Sequence, residues 1–334
     1  MELGTVLAEC RLPKPPYGGD VMGQAQDRGW IKPFGYGQFI YTRPWVALLR
    51  RVQDMILHRA VFDLGFEEWM FPRMIPREAL DAFQLTQFAP ELLMQADPAR
   101  GSFLDPVQCV AFYHHLRNSE LDPERLPLKV VECLGGWTWR NESPDRLDGP
   151  YRAVEFARVE HVYIGTPEQV RTTRRAVQTS LVSMLTEIGL SWHLVVGKGC
   201  MDIPSILTAQ HEACTPDEVP VQDIEVPIRG ALKDDGWPVD MINGSHYHVV
   251  DGEYRLRKND AFYLDADEIC GCSVEGNHLV TSFNIRSNND QELWSGCCGM
   301  GLNRLVVGIL YQHGFDKSNW PDPLAAPSRF SIER

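Results

Sequence analysis

The sequence lacks long apolar runs, internal repeats and a surplus of positive charge. No run reaches the roughly 18 consecutive apolar residues that a membrane helix needs, and the N-terminal stretch does not place a charged region before an apolar one. Neither a membrane span nor a signal peptide is therefore predicted, and a cytoplasmic location is expected. The formal net charge of −13 argues against wholesale coating of a nucleic acid, because such proteins usually carry a basic face.

The chain also lacks a dividing linker. No tract rich in Gly, Pro or Ser separates one part from another, and 334 residues with 44% hydrophobic content suffice for one large core or two modest ones. A single domain over residues 1–334 is the simplest organisation.

The nine cysteines do not predict a secreted disulfide framework. Their number is odd and the chain is of middle length, so they are expected to be reduced thiols or metal ligands. Four of them form the close pairs Cys270/Cys272 and Cys297/Cys298, and this pairing indicates a metal site as one possibility.

Periodicity predicts two helices and a strand-rich second half. Apolar residues recur on one helical face from Trp45 to Phe62, and Pro44 suits the first turn. Thr166 is predicted to cap a second helix that ends near Gly189, with Gln169 completing a capping box. After residue 220 the short segments "DIEVPIRG", "YHVV" and "HLVTSFNI" predict antiparallel strands.

The segment "GGWTWRNESPDRLDGPYRAVEFARVEHVYIG" (135–165) predicts a hairpin with a long charged tip. Arg140 and Arg152 offer forked donors that suit phosphate oxygens, and Phe156 offers a flat face for a base. An ordinary surface hairpin with salt bridges is the alternative that this segment alone leaves open.

Three other features carry chemistry less specifically. Gly299 and Gly301 permit close backbone approach before a buried helix that carries Arg304, although a plain strand-to-helix turn fits as well. Glu268 has two interpretations: a carboxylate ligand for magnesium, or an ordinary carboxylate on an edge strand. Cys109 stands alone, as small buried cysteines commonly do.

Together these segments resemble the catalytic domain of class II aminoacyl-tRNA synthetases. Residues 34–75, ending in "WMFPRMI", resemble motif 1; "WTWRNE" with "RAVEFARVE" resembles motif 2; "GMGLNRLVVGIL" resembles motif 3. The seryl subclass is the most similar, since "EICGCSVEGNHLVTSFNIR" has the layout of its stretch ending N-I-R. The resemblance implies an α+β fold, an antiparallel sheet flanked by helices, and a homodimer formed through motif 1.

The resemblance also implies roles for single residues. ATP would be a substrate and magnesium a cofactor. Arg140 would bind the α-phosphate and the amino acid carboxylate, and Glu142 the adenine amino group; Phe156 and Arg304 would enclose the adenine ring, Arg152 would reach the γ-phosphate, and Glu268 would hold magnesium. The family has a serine at the position of Gly271, so a water or Ser273 is expected to replace it.

A zinc site is implied by a variant branch of seryl enzymes and by the amino acid:[carrier protein] ligases. Those proteins bind zinc with Cys, Glu and Cys, which leaves a fourth position for the substrate amine. In those relatives the first cysteine lies about thirty residues before the motif 2 arginine, the glutamate lies eight beyond the second motif 2 arginine, and the last ligand precedes the motif 3 arginine. Here Cys109 lies 31 residues before Arg140, Glu160 eight after Arg152, and Cys297 seven before Arg304. Cys298 is the alternative to Cys297, and a closed site of Cys270, Cys272, Cys297 and Cys298 is a competing arrangement. A zinc ion beside the amine favours a small amino acid.

The acceptor of the activated amino acid is predicted from the sequence outside the three motifs. Little sequence lies outside residues 35–312, and the segment at about 193–262, interpreted as an insertion, is not basic. These features favour the amino acid:[carrier protein] ligases, so a phosphopantetheinylated carrier protein is the expected partner and tRNA is not expected. The alternatives are a truncated seryl-tRNA synthetase-like enzyme that acylates tRNA or a small amine, and a non-catalytic regulatory paralogue.

Overall fold

A computed structural model describes most of the chain. The described residues are 1–12, 17–199, 201, 203–228, 239–242, 245–250, 253–257 and 266–325. The predicted insertion at about 193–262 lies partly outside these ranges. No helix in them combines the length and the apolar character that membrane crossing requires.

The strands and helices are numbered in chain order. The strands are β1 (Val6–Cys10), β2 (Ile31–Gly35), β3 (Gln38–Tyr41), β4 (Glu67–Trp69), β5 (Met74–Pro76), β6 (Gln95–Asp97), β7 (Ser102–Leu104), β8 (Glu120–Leu121), β9 (Leu128–Glu132), β10 (Trp137–Trp139), β11 (Glu155–Gly165), β12 (Trp192–Val196), β13 (Val221–Pro227), β14 (Val239–Ile242), β15 (Ser245–Val250), β16 (Glu253–Arg257), β17 (Ala266–Gly276), β18 (Arg286–Ser287) and β19 (Trp294–Gly301). The α-helices are α1 (Val21–Asp27), α2 (Arg43–His58), α3 (Arg77–Ala82), α4 (Leu85–Phe88), α5 (Val110–His115), α6 (Pro167–Glu187), α7 (Pro204–Glu212), α8 (His278–Ser282), α9 (Leu302–His313) and α10 (Asp322–Ala325).

The main sheet contains nine strands within the described residues. Its order is β1-β12-β13-β17-β19-β11-β9-β4, and β10 pairs with β11 outside this path. Every pair is antiparallel except β4 with β9, which is parallel. The predicted α+β architecture, an antiparallel sheet with flanking helices, is confirmed.

The two faces of the sheet pack against different groups of helices. Alternate residues of a strand point to opposite faces, so Val159 and Tyr163 of β11 join the core of α2, α6 and α9, whereas Val162 and Ile164 join the core of α3, α5 and α8. The second face carries the candidate site.

Both predicted helices are confirmed, and one differs at its end. Thr166 accepts a hydrogen bond from the backbone of Gln169, whose side chain completes the capping box. The first helix is α-helical only to His58 and continues as one π-helical stretch, Arg59–Asp63, before Gly65 turns the chain at φ +68°.

The prediction of a strand at "HLVTSFNI" is wrong, because these residues begin with helix α8. Gly276 adopts φ +58° and ends β17, so the chain turns and Asn277 starts the helix. Leu279, Val280 and Phe283 are buried together in the second core. Short apolar segments do not by themselves distinguish a buried strand from a buried helix turn.

The segment predicted as an insertion contributes to two sheets. Strands β12 and β13 belong to the main sheet, whereas β14, β15 and β16 form a separate three-stranded antiparallel sheet. The interpretation of residues 193–262 as an insertion stays a prediction.

Candidate active site

Three potential metal ligands meet on the second face of the sheet. Glu160 lies on β11, Cys297 lies on the neighbouring β19, and Cys109 immediately precedes α5. Cys297 pairs with Val162, which lies two residues from Glu160. The side chains of Cys297 and Glu160 are therefore diagonal neighbours on one face of the sheet. One ligand atom from each of the three residues lies within 4.8 Å of the other two. Two thiols and a carboxylate fit the donor preferences of zinc.

The cluster lies in a site largely shielded from water. Cys109 and Glu160 are buried, and Cys297 is partly buried. The hydrogen bond with Cys297 and burial raise the pKa of the Cys109 thiol well above its usual value. Burial also raises the pKa of Glu160, against the opposing charge of Arg158, whose Nε lies 2.6 Å from Glu160 Oε2. Metal binding would therefore have to displace protons.

Cys298 lies on the opposite face of β19. It is fully buried in the first core, and its sulfur lies 3.6 Å from the Tyr163 hydroxyl. Cys270 and Cys272 have sulfur atoms 3.7 Å apart and also belong to that core. Cys297 is separated from these thiols by the sheet, so the closed site of four thiols is not assembled. In the described part of the chain, Cys109, Glu160 and Cys297 are the one such cluster of three or more residues.

The residues predicted to bind ATP lie near one another in pairs. Arg152 Nε donates to Glu142 Oε2 at 3.2 Å, and Arg304 donates to Glu268 Oε2 at 3.3 Å. Each carboxylate thus fixes a guanidinium that would face phosphate or base. These ion pairs hold the four side chains close together, and their roles in binding ATP stay predictions.

Two arginines of the predicted ATP site lie over aromatic rings, and the enclosure of adenine by Phe156 and Arg304 stays a prediction. The guanidinium carbon of Arg304 lies 4.8 Å from the ring centroid of Tyr151, while that of Arg140 lies 5.7 Å from Phe156. Arg304 Nε also donates to the Tyr151 carbonyl at 3.1 Å. Sequence reasoning missed Tyr151; the only signal was an aromatic residue within a polar loop.

Asp223 is a second residue that sequence reasoning missed. It pairs with Gly271 across β13 and β17. A Cβ at Gly271 would lie 3.4 Å from Glu268 Oε1 and 3.5 Å from Asp223 Oδ1, so two carboxylates approach the position where the seryl pattern has serine. The hydroxyl of Ser273 instead lies 3.3 Å from the Cys297 sulfur. Strand pairing brings Asp223 there, and no local pattern indicates it.

Comparison with known proteins identifies the family. The model of the tRNA synthetase class II core domain (G, H, P, S and T) matches residues 93–313. The type-2 serine–tRNA ligase of Methanopyrus kandleri is 31% identical over 97% of this chain and 63% of its own length. The corresponding enzyme of Methanocaldococcus jannaschii is 28% identical over 95% of this chain and 61% of its own length. The chain thus spans less than two thirds of these relatives.

Solved structures give the same result. The M. kandleri enzyme, crystallised with A. aeolicus tRNASec, superposes with a TM-score of 0.79 at 30% identity, over 97% of this chain and 63% of that one. The Pyrococcus horikoshii seryl-tRNA synthetase, crystallised with ATP, superposes with a TM-score of 0.65 at 15% identity, over 94% of this chain and 63% of that one. The latter supports the fold alone.

The expectation that tRNA is not a partner is wrong. The curated relatives are tRNA ligases, and one of them was solved with a tRNA. The expectation rested on net charge and on the residues around the motifs, but net charge is a sum over the whole surface and leaves local basic areas undetermined. By the domain match and these relatives, the chain belongs to the class II aminoacyl-tRNA synthetase family, with a seryl-type catalytic core.

Proposed function

We propose that this protein activates serine, or a similarly small amino acid, with ATP and transfers the aminoacyl group to tRNA. The observation that carries the proposal is the convergence of Cys109, Glu160 and Cys297 in a chain whose relatives are serine–tRNA ligases. Such a cluster offers a place for the α-amine of an amino acid, and the neighbouring Arg140 offers a place for its carboxylate.

Cys109, Glu160 and Cys297 would hold zinc. The ion would supply a fourth position that binds a neutral amine. This arrangement selects free amino acids by their amine and limits the volume left for a side chain, which supports a small substrate.

In the first step, a carboxylate oxygen of the amino acid attacks the α-phosphorus of ATP, and pyrophosphate leaves. Charge neutralisation contributes more to this step than proton transfer. Arg140 would orient the attacking carboxylate and the α-phosphate together. Its Nε donates to the Pro106 carbonyl at 3.3 Å, which ties the guanidinium to the turn that precedes Cys109.

The remaining contacts to ATP would come from the paired residues. Arg304 and Phe156 offer flat faces for the adenine, with Tyr151 already stacked on the arginine. Arg152 would turn toward the γ-phosphate. Glu268 and Asp223 would share the magnesium ion, since both carboxylates approach Gly271 and hard cations prefer oxygen ligands.

In the second step, a ribose hydroxyl at the 3′ end of tRNA attacks the carbonyl carbon of the adenylate, and AMP leaves. The relatives' activity supports tRNA as the acceptor. A carrier-protein thiol would react in the same position with the same leaving group, so chemistry at the core does not separate the acceptors.

One experiment with two stages tests the proposal. The purified protein is first assayed for amino acid-dependent exchange of labelled pyrophosphate into ATP, with serine, glycine, alanine and larger amino acids. The adenylate-forming enzyme is then offered total tRNA and a phosphopantetheinylated carrier protein in separate reactions. Serine-dependent exchange with labelled tRNA supports the proposal. Exchange with carrier labelling alone would overturn the acceptor, and no exchange with any amino acid would overturn activation itself.

A second experiment tests the ligand set. Zinc content and exchange are measured for Cys109→Ala, Glu160→Ala and Cys297→Ala, with Cys298→Ala as the matched control on the other face of the same strand. The first three are expected to lose stoichiometric zinc and activity, and the control to retain both. Stoichiometric zinc in any of the first three, or its loss in the control alone, contradicts the assignment.

A further inference from the structure

The turn Asp105–Cys109 joins the two ends of the proposed amino acid site. Its last residue is the candidate ligand Cys109, and its Pro106 carbonyl accepts a hydrogen bond from Arg140 Nε at 3.3 Å. The backbone N–H of Trp139 donates to the Asp105 carbonyl at 2.9 Å. The turn therefore contacts both the segment that would bind the carboxylate and the group that would bind the amine.

Gln108 has an unfavourable backbone conformation within this turn. Its φ is +62°, a left-handed conformation that residues with a Cβ seldom adopt. Two hydrogen bonds oppose that preference: its N–H donates to Asp105 Oδ1 at 2.9 Å, and its Nε2 donates to Glu132 Oε2 at 2.7 Å. The side chain is fully buried.

Glu132 is a fixed anchor for this side chain. It lies on β9 with no exposed surface. Its Oε1 accepts from the Phe71 N–H at 2.9 Å, and the Arg73 guanidinium donates to both carboxylate oxygens. Glu132 therefore cannot move without breaking several bonds.

Glu132 is also the direct neighbour of a candidate zinc ligand. In the pairing of β9 with β11, it stands opposite Glu160. A bond from Gln108 to Glu132 thus fixes the residue before Cys109 relative to the residue beside Glu160.

We propose that Gln108 is a positioning residue: through its bond to Glu132 it holds Cys109 opposite Glu160 and keeps Pro106 against Arg140. Gln108 is not one of the three candidate ligands, and the identity of the bound groups rests on the proposed function. Residues that orient metal ligands from outside the ligand set typically change metal affinity 10- to 100-fold on substitution.

Two substitutions separate the side-chain bond from backbone strain. Gln108→Leu keeps most of the bulk and removes the amide. Gln108→Gly removes the amide and favours φ +62°, so it would restore the site if strain were the only issue. The matched controls are Gln84→Leu and Gln84→Gly, because Gln84 is a glutamine with φ +66° at the start of α4 and is not a member of the ligand cluster.

The readouts are zinc affinity by competition with a chromophoric chelator, the visible absorption spectrum of the cobalt-substituted protein, and KM for amino acid and for ATP in the exchange assay. Both Gln108 variants are expected to bind zinc about 10- to 100-fold more weakly, to alter the cobalt spectrum, and to raise KM for the amino acid more than KM for ATP. The Gln84 variants are expected to match the parent protein in all three. Thermal unfolding reports whether each variant folds. If the leucine variant does not fold, the glycine variant alone tests the proposal.

Wild-type zinc affinity and cobalt spectrum in either folded Gln108 variant would overturn the proposal. So would a glycine variant that behaves as the parent while the leucine variant does not, because strain alone would then explain the effect. If the parent protein binds no stoichiometric zinc, the proposed site itself fails. If the parent protein binds zinc but shows no pyrophosphate exchange, the proposed activity is refuted, and the role of Gln108 in zinc binding is still tested. Failure of the proposed function and failure of the positioning role are thus distinguishable.

Discussion

Individual residues place ionisable groups in parts of this protein from which water is excluded. Asp105, Glu132 and Glu160 have no exposed surface, and each lies against an arginine: Arg73 contacts the first two and Arg158 the third. Removing one member of a buried pair leaves the other charge uncompensated, which costs about 3–5 kcal/mol. Substitutions at these positions therefore need measurements of both stability and activity.

Arg140→Ala is expected to reduce serine-dependent pyrophosphate exchange by about 10³-fold or more, because the proposed role of Arg140 is to place positive charge where charge develops on the α-phosphate. Exchange at saturating ATP and amino acid is the measurement. The control is Arg100→Ala, an arginine whose side chain is 82% exposed and which we expect to be neutral. Near-normal exchange in Arg140→Ala would rule out the assignment of Arg140 to the α-phosphate.

The Asp105→Asn substitution is expected to change the way in which the free energy of unfolding depends on pH. Burial raises the pKa of Asp105 to about 7, against about 3.9 in an unfolded chain. Between these two pKa values the folded state holds a proton that the unfolded state releases. The contribution of Asp105 to the free energy of unfolding is therefore complete below about pH 4. It is lost as the pH rises toward 7, by up to about 4 kcal/mol.

Asparagine does not titrate, so the variant is expected to gain stability relative to the parent as pH rises from 4 to 7. Urea unfolding across this range measures the difference. Asp122→Asn, at an exposed position, serves as the control and is expected to show little such trend. A stability difference between Asp105→Asn and the parent that stays constant with pH would refute the raised pKa.

Among the elements, helix α6 has the most clearly defined start. Thr166 caps it, Pro167 occupies its first turn, and Gln169 bonds back to the Thr166 N–H at 2.9 Å. Thr166→Ala is expected to lower the free energy of unfolding by about 1 kcal/mol, since the helix loses a cap, with exchange activity unchanged. Denaturant unfolding measures it.

Thr172→Ala is the control for this element, because Thr172 is exposed in the same helix and caps nothing. We expect its effect to stay within about 0.5 kcal/mol. Equal losses in the two variants would mean that the capping box contributes nothing to the helix beyond a general effect of removing threonine.

At the scale of the whole molecule, the segment after α2 exposes large apolar side chains. Met70 and Met74 are 70% and 57% exposed, and beside them lies a cavity of about 560 Å³ lined mainly by apolar residues that include Trp69, Phe71 and Pro72. Large exposed apolar groups in one region are typical of protein interfaces. Because this region resembles motif 1, a homodimer with two-fold symmetry is predicted.

Sedimentation at micromolar concentration is expected to show a dimer, and Met70→Asp to shift it toward monomer by placing charge in the interface. The control is Leu207→Asp, since Leu207 is 45% exposed on α7, outside that region. A parent protein that sediments as a monomer would contradict the prediction, as would equal dissociation in both variants.

Local chemistry in the sequence was sufficient for helices α2 and α6 and for the family. The start of α6 follows from the hydrogen-bonding capacity of Thr166 and Gln169, which are neighbours along the chain and need no tertiary contact. The order and spacing of the three motifs likewise identify a class II core, because each motif is a continuous stretch. The spacing also sufficed to name Cys109, Glu160 and Cys297 as candidate ligands, and their role in binding zinc stays a proposal.

Tertiary structure alone decided the features that depend on strand pairing and on burial. Asp223 reaches Gly271, and Glu132 stands opposite Glu160, because antiparallel strands bring together residues far apart in sequence. The segment after Gly276 forms a helix because its apolar side chains find a buried surface there, although its local pattern fits a strand equally well. Such contacts depend on the free energy of the whole fold, so they cannot be deduced from any short segment of the sequence.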